Sequence, residues 1–176
     1  MMRLPSTLAL VVALAPAWAG SASAFPGCNA FLEKLRAEAS ELELDYSHAL
    51  VVSRAHTDGV TFDIVTKSDV DGTLMCSGDR FQRFEAHVTE PATPRATTGF
   101  DRLQAAALRA ALGWDAGKSK STLRSMASDA KEYFAASKER GDVYVAGKTE
   151  EHVSGGVSLG MIHTDVDRAF VIVGPE

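Results

Sequence analysis

The spacing of the apolar residues changes along this chain, and that change restricts the possible folds more than any other feature. Apolar residues at helical spacing predict a first helix, capped by Asn29 and running to about Glu43. Alternating apolar residues then predict four strands between His48 and Val88, with a tight hairpin turn at Thr57-Asp58-Gly59 between the first two. We therefore expect an antiparallel meander with one solvated face.

The helical spacing returns after a proline-containing loop and is followed by a second alternating segment. Thr98 resembles the start of a capping box, and the helix it opens should end near Gly113. A further helix is predicted from Ser121 to Gly141, because glycine commonly ends a helix. Three short strands are then expected between residues 143 and 173.

Strands that occur in blocks, rather than alternating with helices, are typical of an α+β fold. The predicted order is α-ββββ-αα-βββ, with about seven strands in an antiparallel sheet and the helices packed on one of its faces. Any ligand is expected on the other face of the sheet or in a groove between sheet and helices.

The first 24 residues have the pattern of a signal peptide. Arg3 precedes an apolar run from Leu8 to Ala19, which is too short to span a bilayer and is broken by a proline, and Ala22-Ser23-Ala24 offers a cleavage site. We predict that residues 1–24 are removed, that residues 25–176 form a single α+β domain, and that the protein is periplasmic or secreted.

Cys28 and Cys76 are the only cysteines in the chain. In an oxidising compartment an even pair favours one disulfide bond, here between the first helix and a strand. Lipidation of Cys28 is an alternative, although Phe25 and Pro26 do not fit the motif that precedes an acylated cysteine. It would leave Cys76 unpaired.

The composition is that of a folded, acidic protein. The chain is 45% hydrophobic and 23% charged, with a formal charge of −5. This balance disfavours nucleic acid as a partner. No second apolar run reaches membrane-spanning length, so we expect no stable membrane insertion after cleavage.

Two segments resemble ligand-binding motifs without satisfying them. Residues 113–119 (GWDAGKS) have one residue too few between the glycines of a phosphate-binding loop and follow a helix instead of a strand. Asp69, Asp71 and Asp79 lie near one another, but the position of the expected calcium-binding glutamate is occupied by Arg80. A helix connection and polar turns explain these segments better.

The five histidines form no local zinc motif, so neither a metal nor a cofactor is predicted. His163, Asp165 and Asp167 could converge at one hairpin end, and they form a candidate site for a metal ion or for acid–base chemistry. His87 and His152 could also meet if their strands are neighbours.

Lys118 and Lys120, together with Arg124, form a small basic cluster. A solvated helix start explains it, and an anionic partner is the alternative.

No catalytic serine or cysteine motif is present. We therefore expect a non-catalytic binding or accessory module that recognises a small molecule or an envelope protein. The alternative is a small periplasmic hydrolase or metal-dependent enzyme built from dispersed residues. The ligand and the oligomeric state do not follow from the sequence.

Overall fold

The computed structural model describes residues 25–51 and 59–176, although not the side chains of residues 50 and 51. The predicted signal peptide and most of the predicted Thr57-Asp58-Gly59 turn lie outside these residues. The described elements follow in this order: α1 (Cys28–Glu41), β1 (Tyr46–Val51), β2 (Gly59–Thr66), β3 (Asp71–Ser77), β4 (Arg80–Thr89), α2 (Pro94–Leu112), α3 (Ala116–Arg140), β5 (Ala146–Val153), β6 (Val157–Thr164) and β7 (Asp167–Val173). The predicted α+β order is confirmed.

The strands form one antiparallel sheet in the order β1-β2-β3-β4-β7-β6-β5. Two meanders meet where β4 pairs with β7, with Phe84 opposite Ile172 and Ala86 opposite Phe170. All four of these side chains are buried in one core. The C-terminal strands therefore extend the first meander, and their apolar residues continue its buried face.

The three helices cover that buried face. Helix α1 packs against α2, α2 lies over β4, and α3 lies over β5 and β6. The Cys28–Cys76 disulfide joins α1 to β3, as predicted, with 6.3 Å between the Cα atoms. Both cysteines are buried, so the bond ties the start of α1 to the sheet within the core.

Each helix starts earlier than its apolar spacing predicted, because the capping residue lies elsewhere. Thr93, rather than Thr98, caps α2 by accepting a hydrogen bond from the Ala96 backbone. Asp115, rather than Ser121, caps α3 through the Lys118 backbone N–H at 2.8 Å. The predicted ends are confirmed, since Gly113 and Gly141 adopt the left-handed conformation that closes a helix.

Helix α1 begins without a side-chain cap of its own. Gly27 precedes it, and the expected cap Asn29 instead donates its backbone N–H to the Asp79 carboxylate at 2.9 Å. The Asp79 carbonyl accepts from Cys28. Asp79, which the sequence placed in a possible calcium cluster, therefore anchors the start of α1 to the β3–β4 turn.

The position of α3 depends on a close contact with β5. A Cβ atom at Gly147 would lie 1.7 Å from the Ala130 carbonyl oxygen and 2.5 Å from the Phe134 backbone nitrogen. Only glycine permits this approach.

Strand β5 was expected to start at residue 143, but Val143 is fully exposed and the strand begins at Ala146. Gly155 and Gly156 form the β5–β6 turn with positive φ.

Candidate functional site: a cationic groove between two helices

Helices α2 and α3 are joined by the short connection at residues 113–115 and pack on different parts of the sheet. Helix α2 follows β4 and α1, whereas α3 follows β5 and β6. The space between them is a groove of about 730 Å³ that ends on β6 and on the start of β7. This volume lies within the range of small-ligand sites, about 300–1,000 Å³.

The interior of the groove is largely apolar. Ala105 comes from α2, Leu123 and Ala127 come from α3, and Met161 from β6 forms part of the sheet side. Leu123 and Met161 are buried, whereas Ala127 is exposed to the groove. An apolar ligand surface would therefore lose water against these side chains.

The rim is strongly cationic. Six basic side chains and two carboxylates line the groove: Arg102, Arg109, Lys120, Arg124, Lys131 and Arg168, with Glu90 and Asp101. The chain as a whole has a formal charge of −5. The excess of positive charge is therefore a local property of this surface.

Three of the cations are held by carboxylates. Arg109 contacts Glu38 and Glu41, each at 2.7 Å, and so links α2 to α1. Arg168 forms an ion pair with Glu90. Arg102 lies 3.6 Å from the carboxylate of Glu43, on the α1–β1 connection. These pairs neutralise the cations on the α2 and sheet sides of the groove.

Lys120, Arg124 and Lys131 have no such partner. None of them forms an ion pair with any described residue. Lys120 and Arg124 are one helical turn apart, where like charges cost about 0.2–0.5 kcal/mol. The third member of the predicted basic cluster, Lys118, lies 4.0 Å from the centre of the Trp114 ring.

A buried hydroxyl lies beside this cationic edge. Ser119, near the start of α3, lines the groove and is 1% exposed, and its Oγ has no hydrogen-bond partner within the described part of the chain. An unsatisfied buried hydroxyl costs about 1–3 kcal/mol. Its position next to Lys120 provides a donor that a ligand could engage.

Three titrating groups that line the groove have shifted pKa values. Burial raises the pKa of the Asp101 carboxyl, and Arg168 opposes this effect. Burial lowers the pKa of His163, and the positive charge of Arg168 lowers it further. Burial also acts to raise the pKa of Glu90, but the Ala92 backbone N–H and Arg168 outweigh it, so this pKa is lowered.

The three residues of the predicted candidate site have different surroundings. His163 lines the groove, with its ring 4.8 Å from that of Phe134. Asp165 is exposed and pairs with Lys138 on α3 at 2.6 Å. Asp167 accepts a hydrogen bond from the Thr164 hydroxyl within the β6–β7 turn. Of the three, only His163 is a groove residue.

Other residues accompany His163. Arg168 is opposite it on β7, while Glu90 and Asp101 come from the end of β4 and from α2. The Glu90–Arg168 pair joins positions 78 residues apart. Only the pairing of β4 with β7 brings them together, and no local spacing in the sequence signals this.

A second polar cluster lies on the face of the sheet opposite the helices. Since Gly147 faces α3, Glu150 and His152 point to the opposite face. His152 Nδ1 lies 2.8 Å from the Ser158 Oγ, and His152 Nε2 lies 3.9 Å from the Glu150 carboxylate. His87 is distant, because β7 and β6 separate β4 from β5.

The described residues contain no group of three or more His, Cys, Asp or Glu side chains placed to bind a metal ion. In the same residues, no helix combines the length and the apolar character needed to cross a membrane. Comparisons with protein-family models, curated protein sequences and solved structures find no match to this chain.

Proposed function

We propose that this protein is an exported, non-catalytic binding module whose small-molecule ligand occupies the groove between α2 and α3. The groove carries this proposal, because it combines an apolar interior, a ligand-sized volume and a few converging polar groups. The disulfide is consistent with a periplasmic or secreted protein.

The groups in the groove favour binding over catalysis. An activated nucleophile requires a base within hydrogen-bond reach. Ser119 has no hydrogen-bond partner among the described residues. Glu90 is engaged by Arg168 and by the Ala92 backbone. These groups are arranged to orient and hold a ligand.

Binding of a neutral, polarity-sensitive dye such as Nile red tests this proposal. The purified protein should enhance Nile red fluorescence saturably. Ala127→Trp should abolish the enhancement, because it places a large ring in the groove. Ser125→Trp is the matched control, since Ser125 is a small, exposed residue of α3 that does not line the groove. Two residues correspond to about 200° of helical rotation, so Ser125 lies on the opposite side of α3 from Ala127.

Equal enhancement by the two tryptophan variants would contradict the proposal, as would the absence of any dye binding by the unmodified protein. Circular dichroism spectra identical to that of the unmodified protein establish that both variants are folded. The comparison therefore measures access to the groove.

The contact between His152 and Ser158 favours a second candidate function, ester hydrolysis on the opposite sheet face. His152 would take the Ser158 proton as the Oγ attacks the ester carbonyl, and it would return the proton to the departing alcohol; water would then release the acyl group. His152 is highly exposed, so water competes at this site. Hydrolysis of p-nitrophenyl acetate that Ser158→Ala abolishes would support this function, and equal rates would exclude it.

A further inference from the structure

We infer that the ligand is an amphipathic anion, with its head group between Ser119, Lys120 and Arg124 and its apolar part along α3 over Ala127 and Met161. This inference rests on the proposed function. It specifies the chemical class of the ligand and its orientation in the groove.

The charges on α3 support an anionic head group. Lys120 and Arg124 repel each other across one helical turn, and neither forms an ion pair with a described carboxylate. A carboxylate or phosphate between them would replace repulsion with two charge-assisted hydrogen bonds. The paired arginines, Arg109 and Arg168, already have carboxylates and are not needed for this role.

Ser119 places the head group near the start of α3. Its hydroxyl is buried and unsatisfied next to Lys120, and an anionic oxygen is an acceptor that this O–H could bond. Lys131, about three turns further along α3, lies too far away to join the same compact group. The part of the groove near the start of α3 therefore combines two cations with a hydroxyl donor that has no partner among the described residues.

The rest of the groove suits an apolar chain. A rise of about 1.5 Å per residue puts Ser119 and Ala130 about 16 Å apart along α3. The groove surface between them includes Leu123, Ala127 and Met161. Burial against these side chains favours a hydrocarbon group at about 25 cal/mol per Å².

Isothermal titration calorimetry with amphiphiles of equal chain length tests the inference. Dodecanoate or dodecyl phosphate should bind at least about tenfold more tightly than dodecyltrimethylammonium. The tighter of the two anions identifies the head group. Equal or tighter binding of the cationic amphiphile would overturn the inference.

Variants then locate the head group. Lys120→Gln with Arg124→Gln should weaken anion binding about tenfold, as expected for two charge contacts. The control double variant, Lys34→Gln with Lys148→Gln, removes the same charge from exposed positions outside the groove. It should change the affinity less than about twofold, and an equal loss in both double variants would overturn the assignment.

Ser119→Ala separates binding from stability. Anion binding should weaken about fivefold, because one hydrogen bond to the ligand is lost. The free energy of unfolding should not fall, because the hydroxyl has no partner in the described part of the chain. Unchanged affinity would remove Ser119 from the head-group site. If Nile red binds the groove but the anions do not, this inference fails while the proposed function stands.

Discussion

Gly147→Ala is the substitution for which the structure gives the clearest magnitude. The added Cβ would lie 1.7 Å from the Ala130 carbonyl oxygen, whereas ordinary contact begins at 3.4 Å. The three nearest atoms all belong to the α3 backbone, so no side-chain rotation can relieve the clash. Helix α3 would have to move away from β5 by about 1.7 Å.

Overpacking of this kind costs about 3 kcal/mol. With a urea m-value of about 2 kcal/mol per molar, the unfolding midpoint should fall by about 1.5 M. Urea denaturation followed by far-ultraviolet circular dichroism measures this shift. Because α3 forms one wall of the groove, Nile red binding by the folded variant should weaken as well.

Gly160→Ala is the matched control on the neighbouring strand β6. There the added Cβ would lie 3.6 Å from the Val171 Cβ and 4.0 Å from the Thr149 carbonyl oxygen, both ordinary contacts. The free energy of unfolding should stay constant or rise by about 0.4–1 kcal/mol, because alanine restricts the unfolded chain. Equal stabilities of the two alanine variants would refute the assigned α3–β5 contact.

Two further predictions concern the disulfide and the pH dependence of stability. Reduction of the Cys28–Cys76 bond, which spans 48 positions, should lower the free energy of unfolding by about 4 kcal/mol. Urea titrations with and without dithiothreitol measure this decrease. As a control, a Cys28→Ala, Cys76→Ala double variant should not respond to the reductant. An unchanged unfolding midpoint in the fully reduced protein would contradict the prediction. Because the pKa of folded His163 is lowered, its contribution to stability is present above the unfolded value of about 6.5 and is lost as the pH falls through the folded pKa. His163→Phe should therefore reduce the acid sensitivity of the urea midpoint below about pH 6.5, and an identical pH profile in the variant would refute this.

The sequence predicted the order of the elements because apolar spacing reports which face of each element is buried. It misplaced the starts of α2 and α3, because spacing carries no information on capping. Thr93 before Pro94 and Asp115 before α3 were the signals that mattered. Strand β5 was displaced for another reason: Gly147 occupies its buried face, so the expected apolar alternation is absent.

The candidate site was less accessible to sequence reasoning. His163 lines the groove, but its neighbours Glu90, Asp101 and Arg168 come from separate elements that only the β4–β7 pairing and the packing of α2 bring together. The basic cluster at the start of α3 was visible as a charge pattern. Its position on a groove wall depends on how α2 and α3 pack on the sheet, which no local pattern encodes.

The most direct test of the central claim is to map ligand contacts by nuclear magnetic resonance. Addition of dodecanoate to isotope-labelled protein should shift the backbone amide signals of Ser119, Arg124 and Ala127. The signals of Lys148 and His152, on the opposite face of the sheet, should stay in place. Shifts concentrated on that opposite face, with an unperturbed α3, would contradict the account.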